Sequence, residues 1–306
     1  MPETVTITGV CAAERRRYAR HAAVAAARQG RAARDLPADA DPAVIHTTLH
    51  TDETLSVVDA RHALDDLRGP QPLRQAADDS RSDSGARARL FAQFVEHARA
   101  VVIVNWEQVP TLELSLLMTL VSHLGPTARI RLSRGAADDL HALAHDSLVD
   151  PPPSGERPGW TRILNDLHDP FLTDRRVVSL RYEQLRPFHP GRLMHALDLL
   201  DSGRHGILLR SVGMCRIASR AHTIARWEHA GSAIWIDPQI GDDGFAEVGQ
   251  DLALTGIDLH AAAVRHVLDD AALTDAELAA GPDAWADFDD PLPAWHASAD
   301  RDERRP

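Results

Sequence analysis

Short apolar runs alternate with helix-patterned segments through the first half of the chain. The β-branched run at 4–8 predicts a strand, and Gly9 then opens an Ala/Arg-rich stretch to Gln29 that favours a helix. The continuous apolar run at 100–104 is typical of a strand buried in a parallel sheet. The other predicted elements are a strand at 43–49, an apolar strand at 55–59, a surface loop at 69–85, helices at 90–97, 111–124 and 136–145, and a strand at 129–132. Strands that alternate with helices predict an α/β domain with a parallel sheet.

A run of prolines and glycines at 151–159 separates this half from a second pattern, because proline extends neither helices nor strands. We predict an N-terminal domain over 1–150, a linker over 151–175, a C-terminal domain over 176–283 and a loosely ordered tail over 284–306. The elements predicted in the C-terminal domain are a strand at 176–183, a helix at 190–200, strands near 206–211, 214–218, 233–236 and 251–255, and a helix at 259–268. This order indicates a small α+β domain.

Composition removes several kinds of chemistry. All 33 basic residues counted as Lys and Arg are arginine. Schiff bases, a lysine general base and a phosphate-loop lysine are therefore excluded. The net charge of -12 disfavours nonspecific binding of nucleic acid, except through a local cluster formed by Arg15, Arg16, Arg17 and Arg20.

The two cysteines, Cys11 and Cys215, lie too far apart in sequence to indicate a disulfide framework or a thiolate-only zinc site. No apolar run reaches the roughly 18 residues of a membrane-spanning helix, and the N-terminus lacks the pattern of a signal peptide. We expect a cytoplasmic protein that is neither exported nor membrane-spanning.

The most specific string in the chain runs from Arg186 to Leu193 and reads Arg-Pro-Phe-His-Pro-Gly-Arg-Leu. It is followed after a predicted helix by Leu-Arg-Ser-Val-Gly at 209–213. These strings resemble the C-terminal domain of the CobW family of GTPases, with Val212 at the position of a family lysine. The resemblance extends over about 160–290, and its motif residues are Arg186, Pro187, Phe188, His189 and Arg210.

The N-terminal half resembles the GTPase domain of the same family. The residues from Gly9 to Arg17 stand where the family has Gly-x-x-Gly-x-Gly-Lys-Thr-Thr, 56–60 matches its Val-Val-Asp-Ala strand, and Asn105 begins a reduced Asn-Lys-x-Asp motif. The resemblance implies a P-loop-NTPase-like fold, GTP and zinc as cofactors, and vestigial nucleotide contacts from Gly9, Arg15, Arg16 and Asn105.

The departures from the family pattern fall on its chemistry. A phosphate loop needs glycines, a lysine and a Mg²⁺-binding hydroxyl, whereas Glu14 puts a carboxylate where phosphate would sit and arginines fill positions 15 and 16. Gln108 replaces the aspartate that would recognise guanine. The family's Gly-Cys-x-Cys-Cys metal motif is missing between Gly9 and Val57. We therefore predict no catalytic residues.

Three functions remain open. The first is a partner-binding pseudoenzyme of zinc or cobalt homeostasis. The second is a slow or non-standard GTP-binding metallochaperone that uses Arg15 or Arg16 as phosphate contacts. The third is a non-enzymatic interaction module that acts under zinc limitation. A protein partner is expected in the first and third, and a metal ion is a possible ligand.

Several histidines and one cysteine have both a structural and a functional interpretation. His46 with His50, and His141 with His145, have the spacing of a helical metal-binding pair, although His46 lies in a predicted strand. His189 precedes Pro190, which favours a capping role over a functional one. Two further interpretations stay open. The segment with Asn165, His168 and Asp169 could bind a metal or connect the domains. Cys11 could be a reactive thiol, because it lies at the start of a predicted helix.

Overall fold

The computed structural model describes residues 4–49, 54–69, 86–145, 152–239 and 249–295. The predicted loop at 69–85 lies, apart from Gly69, outside the described residues. Within the described ranges the chain forms a five-stranded parallel sheet followed by a five-stranded antiparallel sheet. The predicted architecture, an α/β domain followed by a smaller α+β domain, is confirmed.

The parallel sheet has the strand order β2-β1-β3-β4-β5. Its helices cover both faces: α1 and α6 pack around Ile7 and Leu55, and α2 to α5 pack around Val58 and Phe94. Burial on both faces explains why the central strands are continuous apolar runs. The elements are β1 (Thr4–Thr8), α1 (Ala12–Arg28), β2 (Ala32–Asp35), α2 (Pro42–Leu49), β3 (Thr54–Asp59), α3 (Ala63–Arg68), α4 (Ala86–Glu96), β4 (Ala100–Val104), α5 (Thr111–Leu124), β5 (Arg129–Leu132) and α6 (Ala136–His145).

The prediction of a strand at 43–49 is wrong, because this segment forms helix α2. Asp41 begins the helix by accepting a hydrogen bond from the backbone N–H of Ala43 at 2.8 Å, and proline suits the first helical position. The buried residues Ile45, Thr48 and Leu49 follow helical spacing. The segment is too short for its β-branched composition to distinguish a strand from a helix.

The antiparallel sheet has the strand order β6-β10-β7-β8-β9. Strand β7 is a single long strand where two strands had been predicted, since Gly213 continues it. A Cβ atom at Gly213 would lie 2.0 Å from the carbonyl oxygen of Asp251, so glycine lets the two strands approach here. The elements are α7 (Gly159–Leu164), β6 (Val177–Gln184), α8 (Pro190–Asp201), β7 (Ile207–Arg216), β8 (Ile224–Ala230), β9 (Ala233–Pro238), β10 (Gln250–Ile257), α9 (Ala261–Ala271), α10 (Asp275–Ala280) and α11 (Pro282–Trp285).

The predicted linker and tail both contain ordered contacts. Helix α7 lies within the linker range, and Arg157 just before it is buried and donates hydrogen bonds to the carbonyl of Pro152 at 3.0 Å. In the tail, Trp285 and Leu292 are buried, and Asp290 accepts hydrogen bonds from Arg220. These segments lack hydrophobic periodicity because isolated anchors, rather than a continuous face, attach them to the domains. Residues 296–306 lie outside the described part of the chain.

The two sheets share a hydrophobic core. Val177, Leu209 and Ile257 of the antiparallel sheet belong to the same buried cluster as the residues of α4 and α5. The C-terminal sheet is therefore packed directly against the helices of the parallel sheet. None of the described helices is long and apolar enough to cross a membrane.

Candidate functional site

The carboxyl ends of β1, β3 and β4 form the edge where a doubly wound sheet binds its ligands. The chain leaves β1 for β2 on one side and returns to β3 on the other, so the strand order reverses beside β1. Gly9 follows β1, Asp59 ends β3 and Asn105 follows β4. The structure thus brings Gly9, Arg15 and Asn105 to one edge, whereas Arg16 lies on the exposed side of α1.

The turn between β1 and α1 is short. Helix α1 already begins at Ala12, so the positions that would hold the second and third glycines of a phosphate loop, Ala12 and Glu14, are helical. Gly9 has φ of 146°, and a Cβ atom there would lie 2.5 Å from the carbonyl oxygen of Val57. Its close approach to β3 accounts for this glycine without any phosphate.

Two arginines hold this turn from within the protein. Arg15 is buried, and its Nε lies 2.7 Å from Asp35 Oδ1 while its Nη1 donates to the carbonyl of Gly9 at 2.9 Å. Arg87 donates to the carbonyl of Val10 at 3.1 Å and pairs with Asp66 at 2.6 Å. The guanidinium of Arg15, at the family lysine position, is therefore bound to the scaffold and not directed at the edge.

Asp59 is buried at the end of β3, and its carboxylate is saturated by hydrogen bonds. Oδ1 accepts from the Arg61 backbone N–H at 3.2 Å, from Arg61 Nε at 3.1 Å and from Asn105 Nδ2 at 2.9 Å, and Oδ2 accepts from Arg61 Nη2 at 2.8 Å. Burial alone would raise the pKa of Asp59, but the hydrogen bonds from Arg61 and Asn105 outweigh it and lower the pKa. The carboxylate stays ionised and fully occupied.

Glu14 extends this network across the edge. Arg61 Nη2 lies 3.2 Å from Glu14 Oε1, and Arg17 pairs with Glu14 Oε2 at 3.2 Å. Cys11 Sγ lies 3.9 Å from Asp59 Oδ2. Arg61, Glu14 and Asp59 form what we call the edge network. Sequence reasoning missed Arg61, and its position directly after the Val-Val-Asp-Ala strand was the signal available.

The residues at this edge do not fit a magnesium–nucleotide complex. The Asp59 carboxylate has internal donors where a metal would need free oxygens, and Glu14 presents negative charge toward the helix start. Asn105 adopts φ of 57° and directs its amide at Asp59, so this amide already has a partner. Gln108 is exposed in the short 3₁₀ turn that follows.

The C-terminal motif connects α8 to its surroundings. Phe188 is fully buried between Tyr182 and Trp227, with ring centroids 6.3 Å and 6.4 Å away. His189 is the N-cap of α8 and accepts a hydrogen bond from the Arg192 N–H at 3.4 Å.

The backbone of the same motif is tied to the end of α9. The carbonyl of Pro187 accepts from Leu273 N–H at 2.9 Å, and Arg186 Nη1 donates to the Leu273 carbonyl at 3.1 Å. Every residue of this motif is thereby engaged in packing or backbone hydrogen bonds.

Arg210 lies at the centre of a buried ionic network between the two sheets. Its guanidinium pairs with both oxygens of Glu96 on α4, at 2.7 Å and 3.0 Å, and with Glu228 on β8 at 3.0 Å. Arg89, also on α4, pairs with Glu228 at 2.6 Å. Burial alone would raise the pKa of Glu228, but Arg210 and Arg89 outweigh it and lower the pKa to about 2. We call these residues the interdomain network.

No group of three candidate metal ligands occurs among the described residues. His46 lies in helix α2 and not in a strand, while His50 is outside the described residues. His141 and His145 have ring centroids 4.0 Å apart on α6. Cys215 is buried, which raises the pKa of its thiol to about 12.

His168 lies beside His123 of α5, with ring centroids 5.3 Å apart. Both ring nitrogens of His168 are buried and have no hydrogen-bond partner among the described residues. Burial, followed by the positive charge of Arg162, lowers the pKa of His168 to about 4. Burial and His168 lower the pKa of His123 to about 4, and burial and Arg210 do the same for His229. Asn165 and Asp169 are exposed.

The model of the cobalamin synthesis protein cobW C-terminal domain matches residues 177–272, which span the whole antiparallel sheet together with α8 and α9. This half of the chain therefore contains a CobW C-terminal domain. A curated relative, zinc-regulated GTPase metalloprotein activator 1 of Dictyostelium discoideum, is 25% identical over 269 residues, covering 79% of this chain and 56% of the relative. The chain thus spans about half the length of that relative.

Two solved structures are similar to this chain. Zn(II)-bound YjiA GTPase from E. coli aligns with a TM-score of 0.33 at 15% identity, over 80% of this chain and 71% of that chain. A Zn(II)-bound triple mutant of YjiA GTPase aligns with a TM-score of 0.34 at 13% identity over the same shares.

Arg210→Leu should lower the free energy of unfolding by about 3–5 kcal/mol, because it leaves Glu96 as a buried, unpaired carboxylate and leaves Glu228 with Arg89 alone as its close cation. The matched control is Arg181→Leu, which removes the partly exposed pair with Asp251 and should cost about 1 kcal/mol or less. Urea unfolding followed by circular dichroism measures both. Equal losses in the two variants would contradict the importance of the interdomain network.

Stability should also fall as the pH drops from 6.5 toward 4. His123, His168 and His229 have folded pKa values of about 4 against an ordinary value of 6.5, so in this window the unfolded chain takes up protons that the folded chain does not. Each of these histidines lowers the free energy of unfolding by at most about 1.4 kcal/mol per pH unit in this window. In thermal melting, His229→Gln should flatten the pH dependence. His141→Gln, at an exposed histidine, should leave the pH dependence of the melting temperature as in the wild type. Identical pH profiles for the wild type and His229→Gln would show that the buried histidines are not its cause.

Proposed function

We propose that this chain is a CobW-type protein of zinc or cobalt homeostasis whose GTPase-like domain is a pseudoenzyme that binds a protein partner without using a nucleotide. The observation that carries the proposal is the saturation of Asp59. Its N–H donors are Arg61 and Asn105, the Cys11 thiol lies 3.9 Å from Oδ2, and Arg61 also pairs with Glu14 across the edge. A guanidinium thus stands beside the carboxylate that a magnesium ion would need.

Each part of this edge departs from the family's nucleotide-binding pattern. The helix starts early, the buried Arg15 is bound to Asp35, the hydroxyl position is occupied by Arg16, and Asn105 serves Asp59. Phosphoryl transfer depends on positioning and on charge stabilisation by a metal and a lysine, so a site without them has no means to accelerate it. A retained domain of this kind supports a structural or partner-binding role.

The metal part of the proposal rests on relatedness. The chain has a CobW C-terminal domain, its curated relative is described as a zinc-regulated GTPase metalloprotein activator, and the similar solved structures are of a Zn(II)-bound GTPase. Zinc or cobalt would be handled as cargo, in concert with a partner that supplies ligands. The described residues offer no cluster of three His, Cys, Asp or Glu side chains for it.

A fluorescent GTP analogue with Mg²⁺ should show no saturable binding to the purified protein, because the chain has no lysine and the described residues of the edge offer neither a free carboxylate at Asp59 nor a phosphate nest. Fluorescence anisotropy measures binding, and phosphate release measures turnover. Arg61→Ala removes the two guanidinium hydrogen bonds of Asp59 but should restore neither binding nor turnover, since the turn would still lack its glycines and lysine. Micromolar affinity accompanied by turnover in the wild type would overturn the pseudoenzyme proposal.

Cells of the native host that lack this gene should grow more slowly than wild-type cells in zinc-depleted or cobalt-depleted medium. Re-expression of the chain should restore growth, and so should Cys11→Ser, which alters the nucleotide edge without touching the interdomain network. Growth rate and cellular metal content by mass spectrometry are the measurements. Unchanged growth and metal content in the deletion strain under both depletions would contradict a role in metal homeostasis.

A further inference from the structure

Helix α1 and strand β2 border an open groove of about 680 Å³ on the side of the sheet away from the antiparallel domain. The floor and walls are small side chains, with Ala19, Ala23 and Ala33 among them. Arg16 and Arg20 line the same groove and are exposed. The groove thus combines a narrow apolar surface with two cations.

These two arginines differ from most of the arginines around them. Arg15, Arg61, Arg87 and Arg210 are each held by a carboxylate within the protein. By contrast, no ion pair or hydrogen bond joins the side chain of Arg16 or Arg20 to a described residue. The one acidic residue of the groove, Asp35, is already bound to Arg15 at 2.7 Å. On a chain with a net charge of -12, this is a local surface of positive charge.

The groove runs beside an open sheet edge. Strand β2 is the outermost strand of the parallel sheet and pairs only with β1 among the described residues. Its other edge therefore presents backbone donors and acceptors that an added strand can satisfy.

The spacing of the cations matches an extended chain. Arg16 and Arg20 are one helical turn apart, which places their Cβ atoms about 6 Å from each other. Alternate side chains of an extended peptide are separated by roughly 6.6 Å and point to the same face. Carboxylates at alternate positions of a strand added to β2 would consequently meet Arg16 and Arg20 together, while the residues between them point to the opposite face of the sheet.

We propose that this groove binds an acidic, extended segment of a partner protein, with Asp or Glu at alternate positions, that adds to the open edge of β2. The proposal rests on the partner-binding function proposed above and gives that function a surface and a chemistry. Charge complementarity selects an acidic segment. A nucleic acid is disfavoured because only two free cations line the groove of an acidic protein.

The test uses the full chain, labelled with ¹⁵N, and the peptide Thr-Glu-Val-Glu-Val-Thr with blocked ends. Amide resonances of β2 and of 13–23 in α1 should shift on titration. A peptide of the same composition with adjacent glutamates should bind more weakly, and one N-methylated at alternate amides should not bind. Arg16→Gln and Arg20→Gln should each weaken binding by up to about fivefold, which is the upper end of the range for exposed ion pairs.

The matched control is Arg28→Gln, which alters an exposed arginine at the other end of the same helix and should leave peptide affinity unchanged. The proposal is overturned if the wild type binds neither glutamate peptide, if Arg28→Gln weakens binding as much as Arg16→Gln, or if a single-stranded RNA oligonucleotide shifts these resonances and the peptide does not. Repeating the titration with GTP and Mg²⁺ keeps the two proposals separate. If the protein binds both GTP and the peptide, only the pseudoenzyme proposal is refuted. If it binds neither GTP nor the peptide, only the groove proposal is refuted.

Discussion

The guanidinium of Arg210, held between Glu96 and Glu228, is the interaction on which the arrangement of the two sheets depends. One carboxylate comes from α4 of the parallel domain and the other from the antiparallel sheet, and all three groups are buried. In such a medium each charge is tolerated only while its partners stay in place. The C-terminal sheet is therefore fixed against α4, and the opposite side of the parallel sheet, with α1 and β2, is left exposed.

Arginine performs a second internal task at the nucleotide edge. In an active phosphate loop the cation and the backbone N–H groups point outward to the ligand. Here Arg15 and Arg87 instead bind the carbonyls of Gly9 and Val10, and Arg61 neutralises Asp59. A planar guanidinium with several donors suits this use, because it can satisfy a carboxylate and a carbonyl together. The backbone of this edge is thus held by internal cations, which is the arrangement on which the proposed pseudoenzyme rests.

Most of the fold could be predicted from the sequence, and most of the contacts at the edge could not. The strands at 4–8 and 100–104 are uniformly β-branched or apolar runs and the helix at 111–124 spans several turns, and their types and bounds agree with the structure. The segment at 43–49 is too short for its pattern to distinguish helix from strand, and the Asp41 cap that makes it a helix is a single side chain. The tail shows no regular spacing of apolar residues, because only separated buried side chains such as Trp285 and Leu292 attach it to the domain.

The sequence by itself determined the family resemblance, the order of elements and the absence of a lysine, a loop hydroxyl and a guanine-recognising aspartate, since these depend on residue identity alone. Only the tertiary structure decided where the arginines point. Arg15, Arg16 and Arg17 are consecutive and chemically identical, yet one is buried against Asp35, one lines an open groove and one pairs with Glu14. Their contacts differ because successive residues of a helix project about 100° apart. Arg15 and Arg16 meet strand β2, whose position the tertiary structure sets, whereas Arg17 meets a residue of its own helix.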